Sequence, residues 1–206
     1  MTGVQITYGA LAPGALEGMS YEELFLRPQI VSERTLVFCP TARIEPETVS
    51  SLLSQVGMGR FDLMFTKDNP HSPTSGQMYR NIQYNYEKMR RIALTEGYDN
   101  VFVVESDMVL PENAFAMLRA VDMPVVSAKY IIPLDPPREN VMDGLVVGMG
   151  CMLIKREILE GFTFMLEEPI PPDVVFSRYC AERGTPIVRC EELTCGHKRP
   201  NGEVWT

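Results

Sequence analysis

The chain has 206 residues, 45% of them hydrophobic and 22% charged, with a formal net charge of -8 at pH 7. That length and apolar share suit one globular domain whose core needs no cross-linking. The acidic balance, without a Lys/Arg block or a basic stripe, opposes a phosphate backbone and argues against nucleic acid as a partner.

The cysteines, Cys39, Cys151, Cys180, Cys190 and Cys195, are odd in number and show no CxxC or His-Cys spacing. They read as reduced, buried thiols of a cytoplasmic protein rather than as a zinc site or a disulfide scaffold. In an oxidising setting, Cys190 and Cys195 could close a clip around EELT. The first residues carry no charge before Glu17 and do not read as a secretory signal. The apolar stretch from Gly144 to Ile154 is too short and too glycine-rich for a transmembrane segment.

Residues 1–34 mix Gly9, Pro13, Gly14 and Gly18 with a short amphipathic piece, Ser20 to Leu26, and read as an arm or an edge element. The main domain is placed at 35–206. Thr35 to Cys39 is the first buried strand, ended by Pro40 and followed by Thr41-Ala42-Arg43 in a loop. Pro46 opens a helix whose apolar face is Val49, Leu52, Leu53 and Val56. Phe61 to Phe65 makes a second strand. The polar loop from Thr66 to Gly76, with Asp68 and His71, is either substrate-facing or a solvated connection. A long helix from Gln77 to Thr95 carries Met78, Ile82, Asn85, Met89, Ile92 and Ala93 along one face. Asn81 and Asn85 therefore turn toward the apolar stripe, where a buried amide must find partners, either a loop or a ligand.

The stretch VFVVESDMVLP, Val101 to Pro111, organises the rest. Val101 to Val104 has the β-branched and aromatic composition of a strand buried on both faces. It stops at Glu105-Ser106-Asp107, and open α/β sheets place their ligands at the C-terminal ends of strands. Two carboxylates one residue apart suit a hard divalent cation shared with substrate phosphates. They also suit a plain polar turn leading into a helix start at Pro111-Glu112-Asn113. The residues alone leave those two readings level.

A short helix around Ala114, Phe115, Met117 and Leu118 follows, then a strand from Met123 to Ile132 and a proline-rich loop from Pro133 to Asn140. Leu145 to Ile154 reads as a strand in which Gly148 and Gly150 mark a bulge or a close approach by another group. Asp173 to Arg183 reads as a helix with Asp173 at the N-cap position and Gly184 as its stop. Pro186 to Cys190 is the last strand, and the tail beyond it carries His197.

This order of parts resembles the GT-A fold nucleotide-sugar glycosyltransferases, in a broad family-2-like sense, over about Thr35 to Lys198. VFVVESDMVLP looks like the family's strand ending in a DxD metal motif, with Glu105 in place of the first Asp. GMGCMLIKREIL is similar to its glycine-containing acceptor-side strand. PPDVVFSRYCAERGTPIVRCEELTCGH is similar to its acidic residue, amphipathic helix, glycine, short strand and terminal metal-binding His. FCPTAR before a helix is a weaker match.

The resemblance implies an α/β fold, a single Rossmann-like domain with a mixed, mostly parallel sheet flanked by helices. It implies Mn²⁺ or Mg²⁺ as cofactor, held by Asp107, Glu105 and His197 against the phosphates of a nucleotide-sugar donor. Glu105 would bind the ribose or assist the metal, with Ser106 beside it. Thr41 and Arg43 would lie by the nucleotide, Arg80 or Asn81 would contact phosphate or sugar, and Asp68 would be a second candidate base. Asp173 would take the proton of the acceptor hydroxyl in an inverting, hexosyltransferase-type reaction. Pro172 stands where the family carries an acidic neighbour, so a retaining course stays open, as does the acceptor: glycan, lipid-linked or protein.

Two rivals fit less well. A nucleotidyltransferase would carry a glycine-rich basic loop after the first strand, and PTARIEPE has no glycine. A haloacid-dehalogenase-type phosphatase needs a nucleophilic Asp where Glu105 stands, at the end of the first strand rather than the third. The rival that remains is a catalytically silent nucleotide- or sugar-binding module, or an assembly protein, keeping Glu105 and Asp107 as turn residues.

Overall fold

A computed structural model describes residues 33–40, 45–55, 58–66, 78–132, 134–142, 144, 146–166 and 170–206. The expected arm at the N-terminus lies almost wholly outside them. Buried apolar runs supply the strands β1 (Arg34–Pro40), β3 (Asn100–Val104), β5 (Val125–Lys129) and β10 (Cys151–Lys155). Strand β2 (Arg60–Thr66) and the longer β11 (Ile187–Thr194) complete one sheet in the order β11-β5-β10-β3-β1-β2. All neighbours in it are parallel except β10, which runs antiparallel to both β3 and β5. This is the mixed, mostly parallel, helix-flanked α/β sheet expected from the sequence.

The alternation of side chains along each strand divides the core between two faces. Leu36, Phe38, Val101 and Val103 point to one side, where they meet helix α2 (Met78–Thr95), the short α4 (Arg156–Leu159) and α5 (Pro172–Glu182). Val37, Phe102 and Val104 point to the other, against α1 (Pro46–Leu53) and α3 (Ala114–Ala120). Every residue of β3 is buried, which is why its sequence shows no polar alternation. Full burial of a Val or Phe side chain contributes about 1.5–3 kcal/mol, so this strand is a major part of the stability.

Four sequence expectations are corrected. Helix α1 buries Thr48, Ser51 and Leu52, while Leu53 is 66% exposed. Its orientation is fixed by a hydrogen bond that the Thr48 hydroxyl donates to the Ser106 carbonyl, 2.7 Å away, and not by apolar spacing alone. The strand expected over 123–132 breaks at Tyr130 into β5 and β6 (Ile131–Ile132). The glycine-bracketed strand splits into β9 (Val146–Val147) and β10 around 148–150. Helix α5 begins at Pro172 with Pro171 as its N-cap, so Asp173 sits inside the first turn and is not the cap. Gly184, with φ of 64°, takes the left-handed conformation that ends the helix. Asn81 and Asn85 are buried as expected, and Asn85 Oδ1 accepts a 2.7 Å hydrogen bond from Thr66 Oγ1.

Short elements fill the C-terminal edge. β7 (Arg138–Glu139) pairs with β6, and β8 (Val141–Met142) with β9. β4 (Met108–Val109), β12 (Gly196–Lys198) and β13 (Val204–Trp205) form a three-stranded sheet. Among the described residues no helix is long and apolar enough to cross a membrane.

One buried carboxylate ties α2 to the loop before α5. Glu87 accepts hydrogen bonds from Arg90 at 2.8 Å, from the Phe164 N–H at 3.0 Å and from the Thr163 hydroxyl at 3.2 Å. Burial opposes its ionisation, but Arg90 and the Phe164 amide outweigh burial and lower its pKa from 4.5. A lowered carboxyl pKa stabilises the fold above the unfolded value, and the contribution is lost as pH falls through the folded one. Glu87→Gln should therefore cost about 1.5–3 kcal/mol at neutral pH. In denaturant titrations from pH 7 down to pH 3, the gap between wild type and variant should narrow as acid is added.

Candidate functional site

The site forms where β3 ends. The Glu105 N–H donates to the Gly150 carbonyl at 2.9 Å, continuing the ladder with β10 by one residue. The chain then turns, with the Met108 N–H bonded to the Glu105 carbonyl at 3.0 Å, and leaves Ser106 and Asp107 at the tip. Strand β12 brings the distant C-terminal tail to this tip, pairing His197 with Met108 on one side and with Trp205 on the other. Lys198 secures it twice: its backbone N–H donates to the Asp107 carbonyl at 2.7 Å, and its ammonium reaches Glu45 at 3.0 Å and Glu47 at 2.8 Å. Arg199 stacks over the Trp205 ring at 4.1 Å, closing the far side of the small sheet.

His197 Nε2 consequently lies 3.2 Å from Asp107 Oδ2, while Nδ1 is 2.9 Å from the Ile131 carbonyl. A carbonyl can only accept, so Nδ1 carries a proton. In a neutral ring Nε2 would then present a lone pair to a carboxylate oxygen. The contact is favourable only with a second ring proton, or with a cation, between the two groups. Burial disfavours the imidazolium, but the hydrogen bond and charge of Asp107 prevail and raise the His197 pKa above 6.5.

Glu105 lies behind this pair. Burial, followed by the charge of Asp107, pushes its carboxyl up to about 7; Asp173 adds to the effect and His197 opposes it. The Tyr86 hydroxyl is near enough to favour the ionised Glu105, yet it is fully buried and completes no hydrogen bond among the described residues. Asp173, in the first turn of α5, accepts from the Val174 N–H at 2.9 Å, and burial raises its pKa. Cys39, at the end of β1, is pushed up to about 12, first by burial and then by Asp107 and Glu105, so its thiol stays protonated and is no nucleophile.

Asp107, Glu105, Ser106, Asp173 and His197 thus gather at one edge of the sheet. Asn81 and Arg80 sit in the first turn of α2, and the Asn85 bond to Thr66 at the end of β2 puts that turn at the same edge. Thr41, Arg43 and Asp68 lie outside the described residues. All five cysteines are buried and free, as expected of reduced thiols, and Cys195 Sγ lies 3.7 Å from Cys151 Sγ.

Sequence reasoning missed two tyrosines. Tyr86 stands between Asn85 and Glu87 in α2, and Tyr130 falls within the stretch 123–132 expected as one strand. The usable signal was the glycine pair. The Tyr130 hydroxyl accepts the Gly150 N–H at 2.8 Å, and a Cβ on Gly150 would stand 2.8 Å from the Tyr130 ring and 3.2 Å from Glu105 Oε2.

The donor set fits a hard divalent cation: two carboxylates, and an imidazole whose second nitrogen is held by a carbonyl. Among the described residues no three His, Cys, Asp or Glu side chains form a ready metal-holding group; Asp107 and His197 are the pair in direct contact, with Glu105 behind them. A separate cavity of about 700 Å³, lined by Glu33, Arg119, Asp122 and Lys155 among others, opens at the opposite edge of the sheet.

No protein-family model matches this sequence, and no curated protein does. In three dimensions the chain is similar to the crystal structure of A197 from STIV, with a TM-score of 0.59 and 18% sequence identity, over 84% of this chain and 93% of that one. At that identity the likeness speaks to the fold alone: a mixed α/β sheet flanked by helices.

Removing the Asp107 charge should leave burial to dominate His197. In Asp107→Asn the imidazole should titrate below its wild-type pKa, a shift that proton NMR can follow because the chain has two histidines. An unchanged titration curve would mean that the carboxylate does not govern the ring.

Proposed function

We propose that this chain is a metal-dependent glycosyltransferase, moving a sugar from a nucleoside-diphosphate sugar to an acceptor hydroxyl on a GT-A-like domain. The observation that carries this reading is the meeting of Asp107 and His197 at 3.2 Å beyond the C-terminal end of β3, with Glu105 and Asp173 close enough to alter local ionisation. Ligands of open α/β sheets bind at that edge.

Mn²⁺ or Mg²⁺ bound there by Asp107, His197 and Glu105 would supply Lewis-acid stabilisation for the charge of a departing diphosphate. The protein's own contributions are separate. The Ile131 carbonyl fixes the His197 ring so that Nε2 faces the site. Asp173, whose burial strengthens its hold on a proton, would accept the proton of the acceptor hydroxyl in an inverting reaction. Arg80 or Asn81, in the first turn of α2, would contact a phosphate or sugar. A cytoplasmic setting belongs to the same reading, because buried thiols such as Cys151 and Cys195 stay reduced there.

One observation favours the rival, a catalytically silent binding module: no three ligating side chains are already grouped among the described residues. Binding separates the two readings from an inert turn, and turnover separates them from each other. Mn²⁺ together with UDP or GDP should raise the melting temperature, by the equivalent of about 2.7 kcal/mol at a hundredfold excess over Kd. Asp107→Ala should fold normally and lose that shift; no shift in wild type at millimolar ligand would end the enzyme reading. Asp173→Asn should keep the shift while losing about 10²–10⁴-fold in sugar transfer, and normal turnover by it would remove Asp173 from the role of base.

A further inference from the structure

We propose that Tyr130 is a positioning residue: a single phenol that fixes the placement of Glu105 relative to His197, so that the two halves of the cation site form together. The inference rests on the metal-dependent reading above for its consequence and on geometry for its cause.

Tyr130 is 2% exposed and occupies the break between β5 and β6. Its hydroxyl accepts the Gly150 N–H at 2.8 Å, and the carbonyl of the same glycine accepts the Glu105 N–H at 2.9 Å. One residue therefore links the phenol to the start of the acidic turn. On its other side the ring meets the His197 imidazole edge to face, with centroids 5.7 Å apart and planes at 84°. The next carbonyl in the chain, that of Ile131, holds His197 Nδ1.

The Tyr130 backbone is itself fixed on both sides. Asn140, fully buried, accepts from the Tyr130 N–H through Oδ1 at 3.3 Å and donates its own N–H to the Tyr130 carbonyl at 3.0 Å. Its amide nitrogen is spent on Ser127 and Ala128. Gly148 and Gly150 leave room for the ring, and a Cβ at either would collide with it. A residue needed only to fill space there would not require a hydroxyl. The Tyr130 oxygen takes up a buried backbone N–H next to Glu105, and the loop carrying Asn140 is thereby coupled to the carboxylates.

Two variants of the full chain separate the contacts. Tyr130→Phe keeps the ring against His197 but orphans the Gly150 N–H; Tyr130→Leu removes both contacts. Loss of a group that orients a metal's ligands weakens binding by about 10–100-fold. In Mn²⁺ titrations, Tyr130→Phe should bind about tenfold more weakly than wild type while its His197 ring ¹⁵N signals stay in place. Tyr130→Leu should move those signals even without metal. Wild-type Mn²⁺ affinity in a folded Tyr130→Phe would overturn the proposal. If wild type binds no Mn²⁺, the metal reading fails by itself, and positioning is then decided in the metal-free protein. Shifted His197 signals in Tyr130→Leu uphold it and unshifted ones overturn it. Should that variant not fold, the Glu105 carboxyl ¹³C signal in Tyr130→Phe decides in the same way.

Discussion

Negative charge gathered where the sheet ends is the constraint on which the rest of this molecule turns. Glu105 and Asp107 are brought together by one turn after β3, with Asp173 reaching the same region from α5. Burial and the charge of Asp107 raise the proton affinity of Glu105, and the positive charge of His197 opposes the rise. Among the described residues one positive partner stands in direct contact with Asp107, the His197 ring, drawn from the C-terminal tail. Lys198, the cation next in sequence, is engaged elsewhere by Glu45 and Glu47. Among the described residues, His197 is thus the cationic group set directly against the Asp107 carboxylate.

The architecture around that edge serves to hold the tail against the turn. Three short strands, β4, β12 and β13, do this with backbone hydrogen bonds, and α1 contributes through Thr48 and the Ser106 carbonyl. The main sheet provides a rigid base because β3 is buried on both faces and β10 lies antiparallel beside it. The antiparallel strand has a chemical effect: it begins, rather than ends, at the site edge. That direction puts Gly150 between the two, its carbonyl accepting the Glu105 N–H and its own N–H donating to the Tyr130 phenol.

Much of the fold was legible in local composition. Thr35 to Cys39 and Val101 to Val104 are continuous apolar runs that only a doubly covered strand can satisfy, and the 78–95 helix announced itself by spacing. The acidic pair was legible as well, since two carboxylates after a buried strand are conspicuous. What misled was local reasoning about faces and caps. Leu53 is exposed because Thr48 anchors α1 through a hydrogen bond, and Asp173 lies inside its helix because Pro172 starts the first turn.

The sequence by itself determined which segments are buried, where the central strand stops and which residue types stand at its end, because burial and backbone propensity are local properties. The family resemblance implied that His197 joins Asp107, but only the tertiary structure decided that the two meet directly at 3.2 Å, that Cys195 neighbours Cys151, and that Tyr130 is the group for which Gly148 and Gly150 make room. Those contacts join residues far apart in the chain. They depend on the direction of β10 and the return of β12, and no spacing along the sequence records either.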